Sequence, residues 1–167
     1  MSQLLAKLLG QGAASVAVPS TSRPSWDPRK ILLCTTPEHQ NALALQLTKN
    51  RYQVFVAQDT RQAIERMREN RLDVVLLAPE FDLAEQGAAF ITREVNVLRP
   101  AQRRRLFFVM LSPAVRTMES HAAFLNNFNA IVNVKEIDQL PRLLDHAIRE
   151  FNELYKEFNV ALNLPAL

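Results

Sequence analysis

Asp73-Val-Val-Leu-Leu-Ala78 is the stretch that decides the fold. It is apolar without a break from Val74 onward, so both faces of the strand that it predicts must be covered. Four other apolar runs of strand length are separated by helical patterns, at residues 31–34, 54–57, 106–111 and 130–134. This alternation predicts a parallel sheet with helices on both faces. For five strands joined by right-handed crossovers, we expect the flavodoxin-like order 2-1-3-4-5.

The intervening helices begin at recognisable signals. Thr36-Pro37-Glu38 predicts an N-cap, a first helical position and an acidic first turn, for a helix that ends near Lys49. Asp59-Thr60 predicts the cap of a second helix. Further helices are predicted over about 83–98 (ended by Pro100), about 117–127 and about 140–162.

Composition divides the chain into four segments. Residues 1–12 predict a short amphipathic helix or a tail, and residues 13–29 have the proline and serine content of a linker. Residues 30–150 hold the predicted α/β domain, and residues 151–167 are predicted to extend its last helix and to end in a tail. The first segment gathers four leucines at i, i+4 spacing, which makes it a candidate interaction surface: Leu4, Leu5, Leu8 and Leu9.

Composition and charge exclude several classes of protein. The chain has 167 residues, 48% hydrophobic and 22% charged, which is typical of a globular protein. No apolar run reaches the roughly 20 residues that a membrane span needs, and no secretory signal is present, so we expect a cytoplasmic protein. The formal charge is only +3, and the one tight basic run, Arg103 to Arg105, has no interleaved aromatic residues. We therefore expect no nucleic-acid partner.

The sequence also lacks the common motifs of enzymatic sites. The three glycines, Gly10, Gly12 and Gly87, do not lie in a strand-to-helix loop that would cradle a phosphate, so no nucleotide or flavin cofactor is expected. Ser112 lacks the flanking glycines of a nucleophile elbow. Cys34 is the single cysteine, with no base nearby in sequence to activate it, and no metal-ligand spacing is present. The chain is predicted not to be an enzyme.

Four segments in order resemble the receiver domain of two-component response regulators, over about residues 29–150. They are Lys30-Ile-Leu-Leu-Cys-Thr-Thr-Pro-Glu-His39, Asp73-Val-Val-Leu-Leu-Ala-Pro79, Val109-Met-Leu-Ser112 and Ala130-Ile-Val-Asn-Val-Lys135. The resemblance implies a phosphorylation site at the carboxyl ends of the strands. In the family, an acidic pair there holds magnesium, an aspartate accepts the phosphoryl group, and a hydroxyl and a lysine assist.

The site implied by this resemblance is degenerate. The acidic pair falls on Thr35 and Thr36 and the phosphoacceptor on Ala78, whereas the hydroxyl and the lysine remain as Ser112 and Lys135. Phosphoryl transfer needs a carboxylate nucleophile and a divalent cation, and these residues supply neither. The position of the aromatic switch residue holds Val132, and the position of the proline after the lysine holds Glu136, so that peptide bond is expected to be trans.

Two interpretations follow. The first is a pseudo-receiver that binds a protein partner independently of phosphorylation, in a bacterial regulatory or motility system. The second is an atypical signal-receiving domain that binds a phosphoryl group or small ligand at the strand ends, with Glu80 or Asp82 as a displaced acceptor. Apolar residues late in the last helix either fold back on the domain or serve a partner, which includes a homodimer: Phe151, Leu154, Tyr155 and Phe158.

Overall fold

The predicted sheet is confirmed in a computed structural model, which describes residues 26–167. Five parallel strands lie in the order β2-β1-β3-β4-β5. They are β1 (Arg29–Cys34), β2 (Tyr52–Val56), β3 (Val74–Leu77), β4 (Phe107–Ser112) and β5 (Ala130–Asn133). Each strand lies within two residues of its predicted start and end, because a short apolar run is buried when it pairs in a sheet that helices cover on both faces.

Seven α-helices are described, connected to the strands in the expected alternation. They are α1 (Pro37–Lys49), α2 (Thr60–Glu69), α3 (Gly87–Asn96), α4 (Pro100–Arg103), α5 (Ser120–Leu125), α6 (Leu140–Leu154) and α7 (Lys156–Ala161). Two 3-10 segments, Leu83–Glu85 and Val134–Gln139, precede α3 and α6.

The alternating side chains of the strands build two hydrophobic cores. One core joins Ile31 and Leu33 of β1 to α1 and α6. The other joins Leu32 and Cys34 of the same strand to α2 and α3. Both faces of the sheet are therefore covered, and the carboxyl ends of the five strands are left at one edge, where the helices begin.

The helices differ from the prediction at their ends. The predicted helix over 83–98 is divided, because Gln86 has a left-handed backbone (φ 52°) between the 3-10 segment and α3. Pro100 does not merely end that helix but begins α4, where the missing N–H of proline costs nothing. The helix predicted over 117–127 is limited to α5, because Met118 is also left-handed (φ 59°) and its N–H donates to the Ile131 carbonyl.

The last helix also divides, at Tyr155, so that α7 turns back over the domain instead of continuing α6. The Phe151 ring packs edge-on against Phe107 with centroids 5.5 Å apart, and the Arg104 guanidinium lies 4.8 Å above the Phe158 ring. Burial of this aromatic series explains a break that the helical spacing alone does not predict. Within residues 26–167, no helix is both long and apolar enough to cross a bilayer.

Candidate functional site

The carboxyl edge of the sheet brings the sequence-predicted residues together around buried, neutral side chains. Thr35 follows β1 and is 3% exposed, Ala78 follows β3 and is 5% exposed, and Ser112 ends β4 and is also 5% exposed. Ala78 donates its N–H to the Cys34 carbonyl at 2.8 Å, which continues the strand pairing. The hydroxyl oxygen of Thr35 is buried without a hydrogen-bond partner among the described residues. The centre of this edge offers a methyl group where a phosphoacceptor would need a carboxylate.

Two of the residues that the resemblance assigns to the site, Thr36 and Lys135, lie at the rim of this edge. Thr36 occupies the N-cap position of α1, but its side chain makes no capping hydrogen bond. Lys135 lies in the 3-10 segment after β5, is exposed and makes no ion pair with any described residue. Val132 is buried, and no peptide bond within residues 26–167 is cis, so the trans prediction after Lys135 is confirmed.

The Ser112 hydroxyl is already engaged by its own loop. Its oxygen accepts hydrogen bonds from the N–H groups of Ala114 (3.2 Å) and Val115 (3.1 Å). This local turn satisfies two amides that the end of β4 leaves without strand partners. A hydroxyl that moved toward a bound phosphoryl group would have to give up both bonds.

Asn133, which is not among the site residues predicted from the sequence, fixes the same loop from the neighbouring strand. Its side-chain amide donates to the carbonyls of Val115 (2.9 Å) and Pro113 (3.4 Å), and its side-chain oxygen accepts from the N–H of Lys135 (3.0 Å). Its own N–H donates to the Thr117 hydroxyl at 2.9 Å. The signal that could have revealed it is an amide side chain directly after the apolar run of β5.

The two candidate displaced acceptors have different surroundings. Glu80 is exposed beyond the end of β3. Asp82 accepts hydrogen bonds from the side-chain hydroxyl and the N–H of Thr60, the latter at 2.8 Å, and these bonds hold the pKa of Asp82 below its usual range. The Asp82 carboxylate therefore stabilises the start of α2, beside the predicted cap Asp59, whose carboxylate accepts from the N–H of Gln62 at 2.7 Å.

Close packing explains Gly87 at the start of α3. A Cβ atom built there would lie 2.6 Å from the Thr60 hydroxyl oxygen and 2.8 Å from the Asp82 Cβ. The N–H of Gly87 also donates to the Asp82 carbonyl at 2.9 Å. This glycine serves the contact between two loops, and it does not line a phosphate cradle.

The two features considered next are metal-ligand groups and the thiol of Cys34. Among residues 26–167, no three His, Cys, Asp or Glu side chains are grouped so that they could hold a metal ion. Burial raises the pKa of the Cys34 thiol to about 12, so the thiol is protonated at neutral pH.

A buried glutamine is a further polar feature that sequence reasoning missed. Gln40 of α1 is 5% exposed, and its amide donates to the Ala57 carbonyl at 2.9 Å, just after β2. The Gln58 amide donates in turn to the Gln40 side-chain oxygen at 3.1 Å. These bonds tie α1 to the end of β2.

The interaction candidates late in the chain are only partly available. Phe151 and Tyr155 are half-buried against the domain, whereas Leu154 is 77% exposed and Phe158 is 36% exposed. The candidates Leu4, Leu5, Leu8 and Leu9 lie outside the described residues.

Solved structures with the same fold are receiver domains and response regulators. The receiver domain of a sensor histidine kinase from Pseudomonas aeruginosa, solved with magnesium in its active-site cleft, is 20% identical, with 72% of this chain and 97% of that chain covered and a TM-score of 0.53. A chemotaxis response regulator of Vibrio cholerae is 17% identical, with 72% and 99% covered and a TM-score of 0.55. A sensor protein from Polaromonas is also 17% identical, with 75% and 99% covered and a TM-score of 0.59.

No protein-family model matches the chain, and neither does any curated protein sequence. The likeness is therefore one of fold: this chain contains a receiver-like domain. Its chemistry has to be argued from its own residues.

Proposed function

We propose that the chain is a pseudo-receiver: a non-catalytic module that acts through phosphorylation-independent binding of a protein partner in a bacterial regulatory or motility system, in the cytoplasm. The observation that carries the proposal is Ala78, a buried methyl group at the end of β3 where a receiver has its phosphoacceptor. Without a carboxylate at this point, the site has no nucleophile for a phosphoryl group.

The surroundings of Ala78 support the same function. The neighbouring positions Thr35 and Thr36 are neutral, and magnesium prefers anionic oxygen ligands in near-octahedral geometry. The Ser112 hydroxyl and the Asn133 amide hold the loop after β4 through hydrogen bonds to its backbone. A loop fixed in this way favours one constant surface, which is what a partner that reads no phosphorylation state requires.

The rival function is an atypical signal-receiving domain that uses Glu80, Asp82, Ser112 and Lys135. Three of these four side chains are unfavourably placed for it. Asp82 is hydrogen-bonded to Thr60, Ser112 to its own loop, and Lys135 is exposed in a 3-10 segment beyond β5. Only Glu80 combines an exposed carboxylate with a position near the strand ends.

A phosphoryl analogue separates the two functions. When beryllofluoride and magnesium are titrated into the protein, we expect no saturable change in the amide NMR shifts of Glu80, Asp82, Ser112 or Lys135. The reason is that Ala78 offers no carboxylate at the end of β3 and that Thr35 and Thr36 offer no acidic pair after β1 to bind the analogue and the metal.

The Ser112→Ala variant is the control for this titration. Saturable shifts in the wild-type protein that cluster at these four residues and weaken in Ser112→Ala would contradict the pseudo-receiver proposal. Shifts of equal size in both proteins, spread over the surface, would report nonspecific ion binding and leave no receiving site.

The last helix offers less for self-association than its sequence suggested, because α7 turns back and only Leu154 and Phe158 of the four candidate residues are exposed. We therefore expect the Leu154→Glu/Phe158→Glu variant to keep the wild-type mass at every concentration in light scattering. A lower mass for the variant than for the wild type would instead support the homodimer through the last helix.

A further inference from the structure

Charged residues of opposite sign are concentrated at the two opposite edges of the sheet. Acidic residues predominate at the carboxyl edge, where the helices begin: Glu38, Asp59, Glu80, Asp82, Glu85 and Glu136. Basic residues predominate at the amino edge, where the strands begin: Arg29, Lys30, Arg51, Arg68, Arg71, Arg99, Arg103, Arg104 and Arg105. Fewer residues of opposite sign lie at each edge. They are Arg61, Arg116 and Lys135 at the carboxyl edge, and Asp27, Glu69, Asp73, Glu94 and Asp145 at the amino edge, where Asp145 pairs with Arg29 at 3.5 Å. The domain is therefore electrically polarised along the strand direction.

A cavity of about 430 Å³ opens at the basic edge, between the ends of α2 and α3. Its walls are mainly apolar and are formed by Ile64, Met67, Leu72, Leu98 and Leu106. Three arginines line it as well, of which Arg68 and Arg71 are exposed and Arg105 is half-buried, and Glu94 is the one acid in the lining. The volume lies in the range of sites that hold a buried ligand or an anchoring side chain.

The opposite edge of the same helical layer presents a matching feature. Leu83 lies in the 3-10 segment before α3 and is 70% exposed, with the exposed acids Glu80 and Glu85 on either side of it in sequence. The segment is held in place by the hydrogen bonds between Asp82 and Thr60 and by the N–H of Gly87, which donates to the Asp82 carbonyl. A large apolar side chain is therefore presented on a fixed acidic loop.

We propose that the Leu83 loop of one copy of the chain inserts into the cavity between α2 and α3 of a second copy. Leu83 would enter the apolar cavity, and Glu80 and Glu85 would meet the exposed Arg68 and Arg71 that line it. Both surfaces are present on every copy, at opposite edges, so each copy can bind one neighbour at each end. This head-to-tail contact is heterologous and builds chains or rings instead of a closed twofold dimer.

The chemistry of the two surfaces favours a second copy over other occupants. The N-terminal leucine segment carries Lys7 and no acid, so its charge does not complement Arg68 and Arg71. The Leu83 loop supplies both the apolar side chain and the negative charge. The pairs are exposed, so the association is expected to be weak and to depend on salt, because ions screen charges over about 10 Å at 0.1 M.

The proposal rests on the interaction function above, in that it names a partner for that module. It does not depend on whether the strand ends can bind a phosphoryl group, which the beryllofluoride titration decides separately.

Two full-length variants test the contact by sedimentation velocity over a range of concentrations. Leu83→Asp removes the inserting side chain, and Arg68→Glu/Arg71→Glu reverses the charge at the cavity. Leu45→Asp and Arg142→Glu/Arg149→Glu are matched controls, because they make the same changes at exposed positions of α1 and α6, on the other face of the sheet. We expect the wild type and both controls to increase in mass with concentration, and each interface variant to remain a monomer.

Mixing the two interface variants gives the decisive result. Leu83→Asp keeps an intact cavity and the double-arginine variant keeps an intact loop, so an equimolar mixture should form a 1:1 dimer and nothing larger. Raising the salt from about 0.05 M to about 0.5 M should reduce the dimer.

Four outcomes would overturn the proposal. They are a wild type that stays monomeric at every concentration, a mixture that stays monomeric, interface variants that assemble like the wild type, and assembly that is lost in Leu154→Glu/Phe158→Glu instead. Assembly that appears only after Leu5→Glu/Leu8→Glu would show that the N-terminal leucines occupy the cavity, and it would likewise exclude the contact in the native chain.

Discussion

Replacing Asn133 with aspartate should lower the free energy of unfolding by about 2 kcal/mol and speed amide exchange in the loop after β4. The aspartate keeps an oxygen that can accept from the N–H of Lys135, but it has no donor for the carbonyls of Val115 and Pro113. A carboxylate would also face these two carbonyl oxygens, which repel it. Loss of a partly buried hydrogen bond with its partner left unpaired has an effect of this size.

The experiment compares urea unfolding and hydrogen exchange in Asn133→Asp with those in Asn41→Asp. Asn41 is exposed on α1, so the same chemical change there is expected to alter stability by less than about 0.5 kcal/mol. Equal stabilities of the two variants, or unchanged amide exchange at residues 114–118, would show that Asn133 does not hold the loop.

The Asn133 prediction bears on the proposed function because the loop after β4 follows Ser112, the residue that the resemblance aligns with the assisting hydroxyl of receivers. Here Ser112 binds the start of that loop and Asn133 binds its middle. If the loop loosens in Asn133→Asp while the beryllofluoride titration stays negative, the hydrogen bonds fix a surface and do not conceal a latent switch.

The strands were predictable because each contains a short apolar run, and pairing in a sheet covered by helices buries such a run. The places of Thr35, Ala78 and Ser112 were predictable for the same reason, because each lies at the end of a strand. Local signals also predicted the start of α2, where the Asp59 carboxylate forms the expected cap.

Contacts between distant segments were not predictable in this way. The role of Asp82 depends on Thr60, 22 residues earlier in the chain, and Gly87 is required by the space that both of them occupy. The break at Tyr155 similarly depends on Phe107 and Arg104, which only the fold brings beneath the last helix. Helical spacing is preserved on both sides of such a break, so the pattern alone continues through it.

Leu167→Ala should be strongly destabilising, by about 2–4 kcal/mol, although the residue lies in a segment that the sequence suggested was a tail. Leu167 is 1% exposed within the core formed with α1 and α6. The Asn152 side-chain oxygen accepts from the N–H of Leu167 at 2.8 Å, and the Asn152 amide donates to the Leu167 carbonyl at 3.1 Å. Arg29 donates to that carbonyl as well, at 3.2 Å. A leucine held this firmly leaves a cavity when it is truncated, and the cost of such cavities has this magnitude.

Leu162→Ala is the matched control, because it removes the same atoms at a position that is 56% exposed and is expected to change stability by less than about 0.5 kcal/mol. Urea unfolding of both variants measures the difference. Since Asn152 and Arg29 bind the backbone of Leu167, the alanine variant should keep those hydrogen bonds and lose stability only through its side chain. Nearly equal stabilities of Leu167→Ala and Leu162→Ala would mean that residues 162–167 do not pack on the domain in solution, and that α6 and the start of β1 are open to a partner.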